Sequence, residues 1–432
     1  MSLKDRLGRL TGETDKSFQS GVGQDKISEL RKKIDSVMNR REHIVPKNLS
    51  IPRRTAMPLE NVVAGEETRM PYGNFFLSRG TLSADDTHGH WRVYDFAQPS
   101  MKAAAFLIGN RASEDLSIAG GLFLDTETTG LAGGTGTFPF LIGLGWFENG
   151  AFITCQLFAR DFSEERAMLT YLSELASTKQ FLVTFNGKAF DLNLLTARFV
   201  LNRCRDTLSV MPHIDLLHPS RRIFSHRLEN TRLATIEADV LGVRRDGDVP
   251  GFEIPQRYFD WLRQHDGRLL EDVFKHNKLD IVSMASLLKY LADLVEGSEG
   301  TNHSHHGDLF KLAGLIHDRG DLQRAKRLFE TLIMSHEADV AMNARRALSL
   351  IYKKTHCWEE AAELWQYLLA SNQHKIFATE ELAKFYEHHD REYEKALQIV
   401  HDLLNGAARL SDAERIPLEY RLQRLLHRVS SA

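Results

Sequence analysis

The stretch FLDTETTGL, residues 123–131, decides how this chain is read. It completes an apolar run, Gly121-Leu122-Phe123-Leu124, that predicts a buried strand. Alternation along a strand turns the Asp125 and Glu127 side chains to one face, about 7 Å apart. Two acids on the core side of a strand carry a large desolvation cost unless cations neutralise them. A second apolar run, Phe181 to Phe185, leads through an Asn186-Gly187 turn in FNGKAFD (185–191) to Asp191, which opens a predicted helix. Asp280, in KHNKLD (275–280), lies inside a long helical pattern with Leu279, Ile281, Val282 and Met284 around it. Taken singly, Asp191 also suits a helix N-cap and Asp280 an exposed helical charge. Taken together, carboxylates from separate elements repel unless divalent cations hold them, and oxygen ligands of this kind suit Mg²⁺ or Mn²⁺. Two such ions about 3.5–4 Å apart clamp a phosphoryl group for in-line attack by water, which is the chemistry of phosphodiester hydrolysis. The expected metal ligands are therefore Asp125, Glu127, Asp191 and Asp280.

The order Asp-x-Glu, Asn-x-x-x-Phe-Asp and a helical His-x-x-x-Asp resembles the DEDD group of 3′–5′ exonucleases, which have a ribonuclease-H-like fold. The stretches HIDLLHPSRRIF (213–224), LATIEADVLGVRRDGDVPGFEIPQRYF (233–259) and HNKLDIVSMASLL (276–288) resemble the YprB-type branch of that group. The resemblance covers residues 118–295, with weaker echoes upstream. It implies a mixed central sheet flanked by helices, two Mg²⁺ or Mn²⁺ ions, and release of nucleoside 5′-monophosphates from single-stranded nucleic acid. The third motif departs from the usual pattern: His276 stands at the spacing before Asp280 that Tyr more often holds. An i,i+4 pair shares one helical face, so His276 still leans toward the metal site. Imidazole titrates near neutrality and is a candidate to take the proton from the attacking water. The rival reading is that His276 or Asn277 orients the site and no protein base is required.

In the resembling exonucleases the Thr-Thr-Gly-Leu after the acid pair contacts the terminal nucleotide, which implies substrate-binding roles for Thr128, Thr129 and Leu131. Lys188 reads either as a phosphate contact or as a solvated turn lysine, and Asn186 as a brace of its turn more than as a substrate contact. Asp215 reads as a strand end or a cap for the next helix, outside the metal set. Glu237 lies on an amphipathic helix, where a structural salt bridge is the default. The glycine-rich run from Leu131 to Pro139 lacks the Gly-Lys-[Ser/Thr] ending of a phosphate-cradling loop and is not followed by a helical pattern. It reads as the link to a second strand, Phe138 to Phe147, which a Glu-Asn-Gly turn at 148–150 joins to a third, Ala151 to Phe158.

At 432 residues the chain has room for two or three domains, and its hydrophobic fraction of 42% can build substantial cores. No apolar run is long enough for a transmembrane helix, so no membrane association is expected. The charged start, MSLKDRLGRL, does not read as a secretion signal. Cys155, Cys204 and Cys357 fit no zinc spacing and read as reduced thiols of a cytoplasmic protein. A net charge of −3 means that nucleic acid, DNA or RNA, is held in a local groove and in a salt-sensitive way.

Residues 1–117 read as an N-terminal extension. Its first 54 residues carry 13 Lys/Arg against 7 Asp/Glu, with a short amphipathic helix at Ile27 to Val37. A basic arm following nucleic acid and a solvated, partly disordered tail both fit it. Aromatics and turn residues from Met70 to Phe96 suggest short strands of an accessory sheet, and His88, His90 and Trp91 a turn more than a metal site. The polar stretch 296–308 reads as a flexible linker in spite of its three histidines. Beyond it, at 309–432, Ala325, Ala361 and Ala396 recur at 36 and 35 residues, each with large apolar neighbours. Leu312/Ile316, Ala347/Ile351 and Leu382/Tyr386 repeat at the same spacing. This resembles tetratricopeptide repeats, whose period is about 34: three hairpins and a final helix, Leu418 to Val429, available to a protein partner. The whole is expected to be an α/β ribonuclease-H-like domain with an all-α repeat domain behind it. Three functions follow: a 3′–5′ exonuclease, an endonuclease on the same fold, or an inactive scaffold that binds a protein through its repeats.

Overall fold

The computed structural model describes residues 55–109, 115–130, 136–297, 305–406 and 410–431. The basic segment before residue 55, the predicted helix at 27–37 and Leu131 lie outside the described residues.

In chain order the strands are β1 (Glu66–Met70), β2 (Gly73–Leu82), β3 (Thr87–His88), β4 (Trp91–Arg92), β5 (Gly121–Thr128), β6 (Pro139–Glu148), β7 (Ala151–Phe158), β8 (Phe181–Thr184) and β9 (His213–Asp215). Seven of them form one mixed sheet in the order β1-β2-β7-β6-β5-β8-β9, in which β8 runs parallel to β5 and β9 parallel to β8, with the other pairs antiparallel. The predicted hairpin is present: β6 and β7 meet at Asn149-Gly150, both at positive φ (50° and 78°), the conformation two-residue hairpin turns favour. Strands are present between Met70 and Phe96 as expected, but only β3 and β4 form a sheet of their own. β1 and β2 make no separate sheet, because β2 pairs with β7 from Phe76 to Leu82 and continues the central sheet. Phe75 and Phe76, buried on that strand, supply the reason. The small β3–β4 pair turns at Gly89, and His88 is buried with its Nε2 2.7 Å from Ser283 Oγ.

The helices that cover this sheet are α1 (Met101–Ile108), α2 (Glu165–Ala176), α3 (Asp191–Asn202), α4 (Leu217–Phe224), α5 (Ile254–Gln264) and α6 (Glu271–Glu296). Alternation on β5 sorts the two cores. Leu122 and Leu124 belong to the face packed with α2, α3 and α5, while Phe123 joins the face packed with α1, α4 and most of α6. Asp125 and Glu127 continue the Phe123 face, under α6, which packs on β5, β6 and β7. These features constitute an RNase H-like domain with a mixed central sheet flanked by helices.

An all-helical region follows: α7 (His306–Asp318), α8 (Leu322–Leu332), α9 (Ala338–Lys354), α10 (Trp358–Ala370), α11 (Lys375–His388), α12 (Tyr393–Asn405) and α13 (Asp412–Ser430). Consecutive helices pack on each other, and Ala325, Ala361 and Ala396 are all fully buried. The stretch expected as linker is shorter than 296–308. Helix α7 begins at His306, and Asp308 is buried, accepting from Arg227 Nε and Nη2 (2.9 and 2.8 Å) and lying 2.8 Å from His226 Nε2. No helix among the described residues is long and apolar enough to cross a membrane.

Candidate active site: an acidic cluster under one long helix

The acids converge where β5 leaves the core. Leu122, Phe123 and Leu124 are fully buried, and the strand then becomes half-buried through Asp125 to Thr128, with a register shift at Glu127/Thr128. Helix α6 crosses this end and brings His276, Asn277 and Asp280. One ligand atom from each of Glu127, His276 and Asp280 falls within 4.8 Å of the others. Asp191, the first residue of α3, approaches from β8 and receives a 2.5 Å hydrogen bond from Thr126 Oγ1. Asp125, Thr126, Thr128, Asn186, Phe190 and Asp191 line one cleft of about 310 Å³.

Asp125 and Asp280, like Asp191, are each held by a neighbour. Asn277, buried, donates to Asp125 Oδ2 at 3.0 Å while its own Oδ1 accepts from Gln156 Nε2 at 3.0 Å. Asp280 Oδ1 accepts from Arg245 Nη2. The same guanidinium donates to Glu237 through Nε (2.5 Å) and Nη2 (2.6 Å), and its Nη1 lies 3.1 Å from Asp248 Oδ2. His276 Nδ1 lies 2.8 Å from Asp248 Oδ1, and its Nε2 is 3.6 Å from Asp280 Oδ2.

Electrostatics follow from this crowding. Burial, with Asp280, Glu127 and Asp191 close by, pushes Asp125 well above the usual carboxylate range. Burial and the charges of Asp280 and Asp191 do the same to Glu127, against the opposing pull of Arg245. Burial raises Asp191 to about 6, and the Thr126 bond resists it. Asp280 is raised by burial and moderated by Arg245 and His276. Burial disfavours the Arg245 charge, yet the bonds to Glu237 and the field of Asp280 outweigh it, so the guanidinium stays ionised. Clustered carboxylates that burial and mutual repulsion push toward protonation are a donor set that fits a divalent cation.

The structure brings Asp125, Glu127, Asp191, His276 and Asp280 together. Thr128 lines the cleft and bonds Gly130 O at 2.8 Å. Thr129 serves the loop neck, its Oγ1 accepting from Phe138 N at 3.0 Å. Asn186 sits at φ 70° in the turn and also lines the cleft. The Lys188 side chain is exposed, and its backbone N, like that of Asn186, donates to Asp215 (3.0 and 2.9 Å). Asp215 ends β9 and also accepts from Leu217 N at 3.0 Å, bracing the turn from outside the acid cluster. Sequence reasoning missed Arg245, Asp248, Gln156 and Thr126. A signal existed for three of them: a lone Gln inside the apolar strand AFITCQLF, and an Arg and Asp in VRRDGDVPG that no helical or strand period explains.

Residues 122–292 match the RNase_H_2 family model of the RNase_H superfamily. The chain is 36% identical over 315 residues to "Uncharacterized protein YprB" of Bacillus subtilis (strain 168), an overlap covering 72% of this chain and 75% of that protein. With the acid-bearing central strand, the helix that completes the cluster and the mixed sheet beneath them, these likenesses place the chain in the same family as YprB, with an RNase H-superfamily domain at residues 122–292.

Proposed function

We propose that this chain is a metal-dependent 3′–5′ exonuclease acting on single-stranded nucleic acid. The observation that carries the reading is the convergence of Asp125, Glu127, Asp191 and Asp280 from three elements, each carboxyl pushed toward protonation. An RNase H-superfamily domain points to a nuclease with nucleic acid as its substrate. The four carboxylates would hold Mg²⁺ or Mn²⁺, two ions in the full reaction, which when bound activate the attacking water and offset charge on the leaving 3′ oxygen.

The chain's own residues do the rest. Asn277 and Thr126 fix the carboxylates of Asp125 and Asp191. His276 Nδ1 lies 2.8 Å from Asp248 Oδ1 and 3.2 Å from Arg245 Nη1; with Nδ1–H donating to Asp248, Nε2 is the ring atom on the side of Asp280 that would take a proton from water. Phe185, Phe190 and Leu194 form the apolar wall of the cleft against which a terminal nucleoside rests, with Thr128 and Asn186 as polar contacts. The order and spacing of the three acidic motifs support exonuclease polarity. The helical hairpins, with their alanines recurring at 36 and 35 residues, are read as tetratricopeptide-like repeats that engage a protein partner.

The test is degradation of 3′- and 5′-labelled single strands of DNA and RNA with Mn²⁺, Mg²⁺ or chelator, beside a circular strand. Metal-dependent shortening from the 3′ end is expected, with circles intact and turnover in Asp125→Ala lower by about three orders of magnitude. Cleavage of circles would make the protein an endonuclease. Inertness on every strand would reject the nuclease reading and leave a scaffold.

A further inference from the structure

We propose that Arg245 is a resident cation of the acidic cluster, so that the site takes one divalent ion tightly and a second about tenfold or more weakly. The inference rests on the nuclease reading above and concerns how its metal site is built.

The Arg245 side chain is only 8% exposed, and Glu237, which grips it through both carboxylate oxygens, is fully buried. Such a fork-to-fork pair fixes a guanidinium in direction as well as place. Withdrawing Arg245 would strand a buried, unpaired Glu237 charge, which is strongly unfavourable, so the arginine stays when a metal arrives. Glu237 itself begins a π-helical turn, Glu237–Leu241, a backbone irregularity that recurs at functional sites.

The two sides of the cluster are then electrically unequal. Asp125 and Asp191 receive only neutral donors, the Asn277 amide and the Thr126 hydroxyl, so no cation of the chain is bonded to them. Asp280 has one oxygen committed to a full positive charge and only Oδ2 left, beside His276 Nε2. An ion at Asp125 and Asp191 meets no bonded cation, while an ion at Asp280 and Glu127, whose ligand atoms lie within 4.8 Å of each other, meets the fixed like charge of Arg245. A cation supplied by the chain at that position makes Arg245 a positioning residue that does part of the second ion's electrostatic work.

The experiment counts bound Mn²⁺ on the full chain by the loss of its free-ion paramagnetic resonance signal. Ions held elsewhere are subtracted with Asp125→Asn/Asp191→Asn/Asp280→Asn, which removes ligands of both sites. The wild type should show one tight ion and a second weaker by about tenfold or more. The pair Arg245→Met with Glu237→Gln, which removes both charges and spares a buried orphan, should raise the second affinity to within about threefold of the first. Arg245→Lys, which keeps the charge, should leave the second ion weak, and circular dichroism confirms that each variant is folded. Two ions of equal affinity in the wild type, with metal-dependent hydrolysis intact, would overturn the role of Arg245 and leave the nuclease reading standing. An unchanged second affinity in the folded double variant would overturn it too. No cluster-dependent Mn²⁺ at all would remove both.

Discussion

At the scale of single residues, Asp191 is the acid whose behaviour is most directly testable. It is buried, bonded to Thr126, and raised to about 6 from an ordinary value of 3.8. A carboxyl raised in the folded state binds its proton more tightly there than when unfolded. The metal-free protein therefore loses stability as pH rises from the unfolded value through the folded one, and the loss is complete above about pH 7. Asp191→Asn removes this term. In chelator the variant should exceed the wild type in stability by a margin that widens by about 1 kcal/mol between pH 5 and pH 7. Denaturant titrations at the two pH values measure it, and a margin that narrowed would show that Asp191 is not held protonated. Asp125 and Glu127 are shifted in the same direction, so added Mn²⁺ should recover stability most at the higher pH.

At the scale of elements, the site depends on how closely α6 can lie on the sheet. Gly143 and Gly145 sit opposite Asp125 and Phe123 across the β5–β6 ladder, on the face that α6 covers. A Cβ on Gly143 would fall 2.2 Å from Asn277 Oδ1, and one on Gly145 would fall 2.5 Å from Ile281 Cγ2. The two glycines form a shallow groove that admits the helix, and through it Asn277 reaches both Asp125 and Gln156. Gly143→Ala should cost about 1–3 kcal/mol by overpacking and lower turnover about tenfold by displacing the Asn277 amide. Urea unfolding and single-strand hydrolysis check the two effects. Full activity in that variant would mean that the amide does not set Asp125. The element pattern itself was legible: β5, the β6–β7 hairpin, α3 opening at Asp191 and the long α6 all follow from local periodicity and turn residues. The groove was not, because a glycine in a strand gives no sign of which distant helix needs the space.

At the scale of the molecule, the helical region is welded to the RNase H-like domain. Leu312, Ile316, Phe329 and Leu348 share one core with Phe123, Phe224 and Leu291. Asp308 adds a polar lock, fully buried between Arg227 and His226, and Arg319 Nη2 donates to Leu107 O at 3.0 Å. Calorimetry should accordingly show the domain and the first hairpin melting in one transition. Asp308→Ala should lower stability by about 2–3 kcal/mol, less than a wholly buried pair because Arg227 and His226 keep some water contact. Two separate transitions in the wild type would mean that the shared core does not couple them.

The sequence by itself determined the elements and the kind of chemistry. Runs of apolar residues with fixed period encode strands and helices locally, and acids placed on them point to a cluster of carboxylates wherever those elements meet. Asp125, Glu127, Asp191 and Asp280 could be picked from three short motifs for that reason, and His276 from its spacing to Asp280 and the resemblance of that motif. Only the tertiary structure decided what answers each charge. Arg245 reaches Asp280 across 35 residues, Asn277 reaches Asp125 across 152, and Asp308 reaches Arg227 across 81. Pairings at such separations have no local period to betray them. They are set by how helices settle on a sheet, and burial then makes each partner obligatory.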